Sequence, residues 1–320
     1  MLLINLWHIH GYYMRVLNLG DSSSNIFMTY VTYFIPFHVN LFILIAGYFG
    51  GGKNCVKALV KNLLLIYFYS VSLGMLGLLV LGHFSWQHAF LPISSLTWWF
   101  MTMYVVMILI APIIEYYVAN CSRKAIYAIV AGALFVDLYL GNLCHVAHLY
   151  DEGRGMTTFV CIYIIGVWIR KEGIDLIKRL PWARTCLVVS IIFVMLIQYK
   201  AIAWYSWTGL TAYCSPYSIV MSVLIFLLFA KINISESFRK PILFFSSSAI
   251  SVYLITEYPA IREMLSPLFA SQYLSCNTVP MELSFILFSA VIAFIIPCMI
   301  DKVRIPITNY MSERVAKYIN

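Results

Sequence analysis

His8 and His10 stand near the start of the chain inside an apolar run. An ionisable side chain placed in hydrocarbon costs about 2.5–3.5 kcal/mol, so a group kept there is a candidate for chemistry. Imidazole is the side chain best suited to take a proton from a hydroxyl near neutral pH. Two residues apart on a regular helix, the two rings point about 200° from each other, so one pocket takes only one of them. The competing reading is a histidine hydrogen-bonded to a neighbouring helix. His38 with Asn40, Asp137 and Glu257 are the other polar groups set in apolar runs. For Asp137 a structural hydrogen bond to another helix is the simpler expectation. Glu115, at the edge of a run where a carboxylate reaches headgroup water, is also read as structural. Lys57 and Lys61 are four apart and share a helical face. Paired ammonium groups there suit a phosphorylated ligand arriving from the cytoplasm, and ordinary anchoring at the membrane edge is the alternative.

The elements that position these residues are apolar helices. Of 320 residues 62% are apolar and 11% charged, and the mean hydropathy is +0.87. Soluble domains carry about a quarter charged residues. A helix crossing about 30 Å of hydrocarbon needs about 20 apolar residues. Ten blocks near that length recur: Met1–Val16, Asn25–Gly47, Leu63–Leu81, Trp98–Tyr117, Ile126–Leu143, Met156–Ile169, Thr185–Tyr199, Ser215–Ala230, Leu243–Ala260 and Glu282–Ile300. The expected fold is therefore all-α, a polytopic membrane bundle of about ten helices forming one domain over residues 1–320. With the N-terminus inside, all of the 21 Lys and Arg residues fall on the cytoplasmic side except Arg15, Arg154, Lys200 and Arg262. That asymmetry predicts both termini in the cytoplasm.

The same distribution argues against nucleic acid as a partner despite the net charge of +8, because the basic residues sit in short clusters between apolar blocks. The cysteines at 55, 121, 144, 161, 186, 214, 276 and 298 show neither CxxC pairs nor a metal-ligand rhythm with histidine. No metal site and no disulfide framework are expected, although Cys144, Cys214 and Cys276 fall near the outer face, where one bridge is conceivable. Met1–Val16 does not read as a signal peptide. It is barely long enough to span and lacks flanking positive charge, so a natural start further upstream is expected.

Four stretches then resemble a known family. Val39-Asn40-Leu41-Phe42-Ile43-Leu44-Ile45-Ala46-Gly47-Tyr48-Phe49 is similar to a second-helix signature ending in Ser/Ala-Gly-Tyr/Phe. Trp98-Trp99-Phe100-Met101-Thr102-Met103-Tyr104, running on to Ala111-Pro112, resembles an aromatic-to-proline helix. Phe159 to Arg170, with Tyr163-Ile164-Ile165-Gly166, resembles the sixth span, and Ser251-Val252-Tyr253-Leu254-Ile255-Thr256-Glu257-Tyr258-Pro259 the ninth. In this order and spacing they resemble the acyltransferase 3 family of multi-span bacterial membrane enzymes that acylate surface carbohydrates.

The resemblance implies transfer of an acyl group, often acetyl, from cytoplasmic acyl-CoA to a sugar hydroxyl of the envelope. The acceptor would be a polysaccharide such as an exopolysaccharide or lipopolysaccharide, or a lipid-linked sugar. It implies a bacterial inner-membrane location, no permanently bound cofactor, and polysaccharide-biosynthesis proteins as possible partners. His8 takes the place of the family's first-helix histidine, with His10 as the alternative base. Asn40, Trp99 and Tyr104 are candidate donors to the developing oxyanion, Lys57 and Lys61 candidate contacts for the CoA phosphates, and Glu257 a substrate-side carboxylate. There are three departures. The family's arginine before the histidine would precede Met1. Lys57 and Lys61 replace an arginine pair and lose its bidentate geometry. Thr256 stands where a ninth-helix histidine is usual. Two other classes fit the same residues: a carrier or flippase using intramembrane His, Asp and Glu as a proton relay, and an inactive relative of the family.

Overall fold

The computed structural model describes residues 1–9, 31, 33–50, 55–146, 149, 151–173, 182–205, 211–230, 232–276 and 278–319. Among them every regular element is a helix. In chain order these are α1 (Leu2–His8), α2 (Phe37–Phe49), α3 (Cys55–Leu81), α4 (Trp86–Phe90), α5 (Trp99–Asn120), α6 (Arg123–Leu134, continued by a π-helical stretch Phe135–Leu143) and α7 (Met156–Trp168). They are followed by α8 (Ala183–Tyr205), α9 (Pro216–Phe229), α10 (Glu236–Ser246), α11 (Ala249–Thr256), α12 (Pro259–Leu274) and α13 (Val279–Ile319).

Five of the described helices are long and apolar enough to cross a membrane: α3, α5, α6 with its π-helical continuation, α8 and α13. Helices α2 and α9 are apolar but shorter. At 1.5 Å per residue, the 27 residues of α3 reach about 40 Å, more than the hydrocarbon thickness. Only 17% of the apolar window of α8 is buried; Val189, Phe193, Leu196 and Ile197 face outward, as a lipid-facing surface requires. Hydroxyl caps and prolines mark several starts. Ser122 accepts from the Ala125 amide at 3.3 Å, Ser215 from the Ser218 amide at 3.1 Å, and Pro216 and Pro259 occupy first-turn positions.

The predicted ninth block is not one helix. Ser246 and Ser247 turn their hydroxyls back to the carbonyls of Leu243 and Phe244, which competes with helix continuation, and the chain breaks into α10 and α11. Pro259 then holds Tyr258 extended, at φ −67° and ψ 132°. The predicted tenth block is instead the first half of α13, which runs on through Pro297 and Pro306; a membrane bundle tolerates proline where neighbours re-satisfy the freed carbonyls.

The chain forms two compact units. One contains residues 1–32, 56–105 and 234–320; the other contains residues 33–55 and 106–233. In the first, α1 and α11 pack on α13. In the second, α7 is buried along nearly its whole length and packs on α2, which also packs on α9. The α2–α7 crossing is backbone to backbone. A Cβ on Gly166 would lie 2.5 Å from the Leu44 carbonyl oxygen, and one on Gly47 would lie 2.3 Å from that of Tyr163. Small residues permit this approach between apolar helices. Gly47 therefore pairs with Gly166; Gly51, the other half of a sequence GxxxG, lies outside the described residues.

Candidate active site

The first unit brings the two ends of the chain together. The imidazole Nδ1 of His8, at the end of α1, lies 3.3 Å from Glu257 Oε1, just past the end of α11. Both side chains are largely buried, 12% and 8% exposed. The other carboxylate oxygen of Glu257 faces Nη1 of Arg262 at 3.8 Å, so the carboxylate sits between an imidazole and a guanidinium. Glu257 reaches this position because α11 stops at Thr256 and the chain turns before Pro259. The Thr256 hydroxyl donates to the Val252 carbonyl of its own helix at 2.9 Å.

Aromatic rings extend the site. The Tyr253 ring lies 6.5 Å from the His8 ring and 6.0 Å from Phe100, and Phe100 stacks on Tyr104 at 5.8 Å. Trp99 meets Phe100 edge-on at 6.0 Å. It is the neighbouring Trp98, 1% exposed, that fixes α11, donating its indole N–H to the Leu254 carbonyl at 3.0 Å. An aromatic doublet in the sequence does not reveal which ring faces inward; the contact with α11 does. Lys57 and Lys61 occupy the first turns of α3, and both are exposed.

A second charged group of the same unit was not singled out from the sequence. Asp301 and Arg304 of α13 form a two-contact pair, Nε to Oδ1 at 2.8 Å and Nη2 to Oδ2 at 3.0 Å. The Tyr69 hydroxyl from α3 donates to Asp301 at 2.7 Å, and Arg304 donates to Thr308 at 2.6 Å. Both charges are nearly inaccessible, 0% and 6% exposed. A buried pair hydrogen-bonded this completely ties α3 to α13. The i,i+3 spacing of opposite charges in an apolar helix was the signal available in the sequence.

The remaining candidates belong to the second unit. Asn40 is fully buried and its amide donates to the Tyr213 carbonyl at 2.8 Å. His38 is buried, with Nδ1 against the Ile35 carbonyl. Asp137 lies in the π-helical stretch, a geometry often found at functional positions, and accepts from the Thr158 hydroxyl at 2.6 Å. Glu115 pairs with Arg170 and accepts from the Tyr163 hydroxyl at 3.2 Å. Arg170 also donates to the Gly50 and Tyr48 carbonyls, closing the end of α2. His10 lies outside the described residues. All eight cysteines are unbridged, and among the described residues no three His, Cys, Asp or Glu side chains converge as a metal site.

An apolar, all-helical chain with several membrane-length helices is that of a multi-pass membrane protein, and one of its units sets an imidazole against a carboxylate. The chain belongs to the acyltransferase 3 family: the family's profile, described as an acyltransferase domain, matches residues 1–301. No curated protein and no solved structure matches it.

Proposed function

We propose that this protein is a membrane O-acyltransferase moving an acyl group, in first place acetyl, from cytoplasmic acyl-CoA to a hydroxyl of an envelope polysaccharide or lipid-linked sugar. It works in the bacterial inner membrane as a bundle of about ten spans with both termini in the cytoplasm. The observation that carries the reading is the 3.3 Å approach of His8 to Glu257, in a chain of this family.

The chemistry follows from that pair. The Glu257 carboxylate, 3.3 Å from Nδ1 of His8, favours a proton on that nitrogen, which leaves Nε2 as the base. Nε2 takes the hydroxyl proton as the sugar oxygen bonds to the thioester carbonyl carbon. The negative charge passes to the carbonyl oxygen, for which Tyr104 and Trp99, both against the Phe100 ring that meets Tyr253, are the candidate donors. Collapse of the adduct breaks the C–S bond, and the departing CoA sulfur takes the proton back from His8. Glu257 steadies the imidazolium in between, and contact in the unliganded site is expected to tighten when substrate binds. Lys57 and Lys61 give exposed positive charge for the CoA phosphates.

The test uses the full chain, purified into liposomes, with acetyl-CoA labelled in the acetyl group and a panel of envelope carbohydrates. Expected are label in carbohydrate ester and an equal amount of free CoA thiol. Movement of a sugar or lipid-linked sugar across the bilayer without any acyl donor would identify a carrier instead.

A further inference from the structure

Asn5 lies one helical turn before His8 on α1 and is 2% exposed. Residues three apart on a helix share a face, their Cβ atoms about 5–6 Å apart. The carboxamide offers two N–H donors and an acceptor oxygen, yet among the described residues neither its nitrogen nor its oxygen has a hydrogen-bond partner. A buried amide left in that state costs about 1–3 kcal/mol, and apolar residues surround it in sequence: Ile4, Leu6 and Ile9 are all buried. Such a group is usually kept for a reason other than stability.

Its place within the first unit says which substrate it meets. Glu257 and the start of α12 mark one end of the unit, where His83 at the end of α3 pairs with Glu263 at 3.2 Å. The opposite end of α3 carries Lys57 and Lys61, and between the two ends Lys302 of α13 donates to the Phe244 carbonyl ahead of α11. Helix α1 packs on α13. The α-amino group of Met1 lies within electrostatic reach of Cys298, one turn from Lys302, whereas His8 faces Glu257. Asn5 therefore sits on the Lys302 side of His8, the side on which a phosphorylated donor would meet positive charge. An amide that both donates and accepts complements a group that does the same in an extended chain, and the arm of coenzyme A carries two secondary amides leading to its sulfur.

We infer that Asn5 is a binding residue for the amide-bearing arm of the acyl donor, pairing with an arm amide so that the thioester rests beside His8. This rests on the acyl-CoA reading above and adds a recognition element to it. The experiment is calorimetric binding of CoA to the purified full chain, with adenosine bisphosphate, the nucleotide half without the arm, as the second probe. Asn5→Leu, close in volume, is expected to weaken CoA binding about tenfold, the loss of one or two buried hydrogen bonds. Adenosine bisphosphate binding should not change. The same variant should melt at a higher temperature than wild type, because an orphan amide has been replaced by an apolar side chain. Asn5→Ala should show the same loss of CoA binding in a second background.

CoA binding by Asn5→Leu equal to wild type overturns the assignment, as does equal weakening of the two probes or no CoA binding by the wild type. The reaction itself is judged separately. Asn5-dependent CoA binding in a chain that forms no ester supports the assignment and sinks the transfer reaction. Unchanged ester formation and CoA affinity in Asn5→Leu does the reverse.

Discussion

Replacing Glu257 by Gln keeps the shape of the side chain and removes the charge that faces His8. At 3.3 Å and an effective dielectric of about 20, the attraction between that carboxylate and an imidazolium formed in the transition state is about 5 kcal/mol. Arg262, 3.8 Å from the other oxygen, competes for the carboxylate. With about half of the attraction surviving, kcat should fall by about 100-fold. A Gln side chain fills the same space beside the ring, so the acyl-CoA KM should hold within about twofold. The assay is initial-rate release of free CoA thiol by the purified chain with a saturating acceptor, for wild type, Glu257→Gln and Glu257→Asp. The Asp variant restores charge at a longer reach and should recover part of kcat. A wild-type kcat in Glu257→Gln, or a loss confined to KM, would refute the pairing as the source of rate.

Three further outcomes follow. Replacing Lys57 and Lys61 together by Ala should raise the acyl-CoA KM about 3- to 10-fold with kcat unchanged, since exposed charges contribute about 1 kcal/mol each at most; the difference should fade in high salt, which a KM series against ionic strength reads directly. Gly166→Ala puts a Cβ 2.5 Å from the Leu44 carbonyl and should destabilise the second unit by about 1–3 kcal/mol, seen as a lower unfolding temperature in detergent. Asp301→Asn leaves the buried Arg304 charge uncompensated and should cost about 3–5 kcal/mol, while Asp301→Leu with Arg304→Met together should be milder than either single change, as a double-mutant cycle in thermal unfolding measures.

The sequence announced the helices and part of the site. Apolar runs with cationic ends identified membrane helices, and the cost of placing His8 and Glu257 in such runs identified both as candidates. That they face one another was not legible, because nothing local in either segment encodes contact between opposite ends of a chain. Arg262 looked like a lone cation on the outer side until α12 folded it back toward Glu257. Conversely Asn40, read as a donor to an oxyanion, gives its amide to the Tyr213 carbonyl, and Glu115, read as structural, is tied to Arg170 and Tyr163. The break between α10 and α11 follows from three consecutive serines, and that between α11 and α12 from Tyr258-Pro259, both visible in the sequence but outweighed there by the apolar count. The π-helical turn that carries Asp137 has no sequence signature at all.

The proposed base for acyl transfer is the His8 imidazole. Carbohydrate ester formation from labelled acetyl-CoA by the purified chain, compared between wild type, His8→Ala, His10→Ala and the double variant, tests it most directly. His8→Ala is expected to abolish ester while leaving CoA affinity within about twofold, and His10→Ala to retain activity. Ester formation at the wild-type rate in the double variant would contradict it.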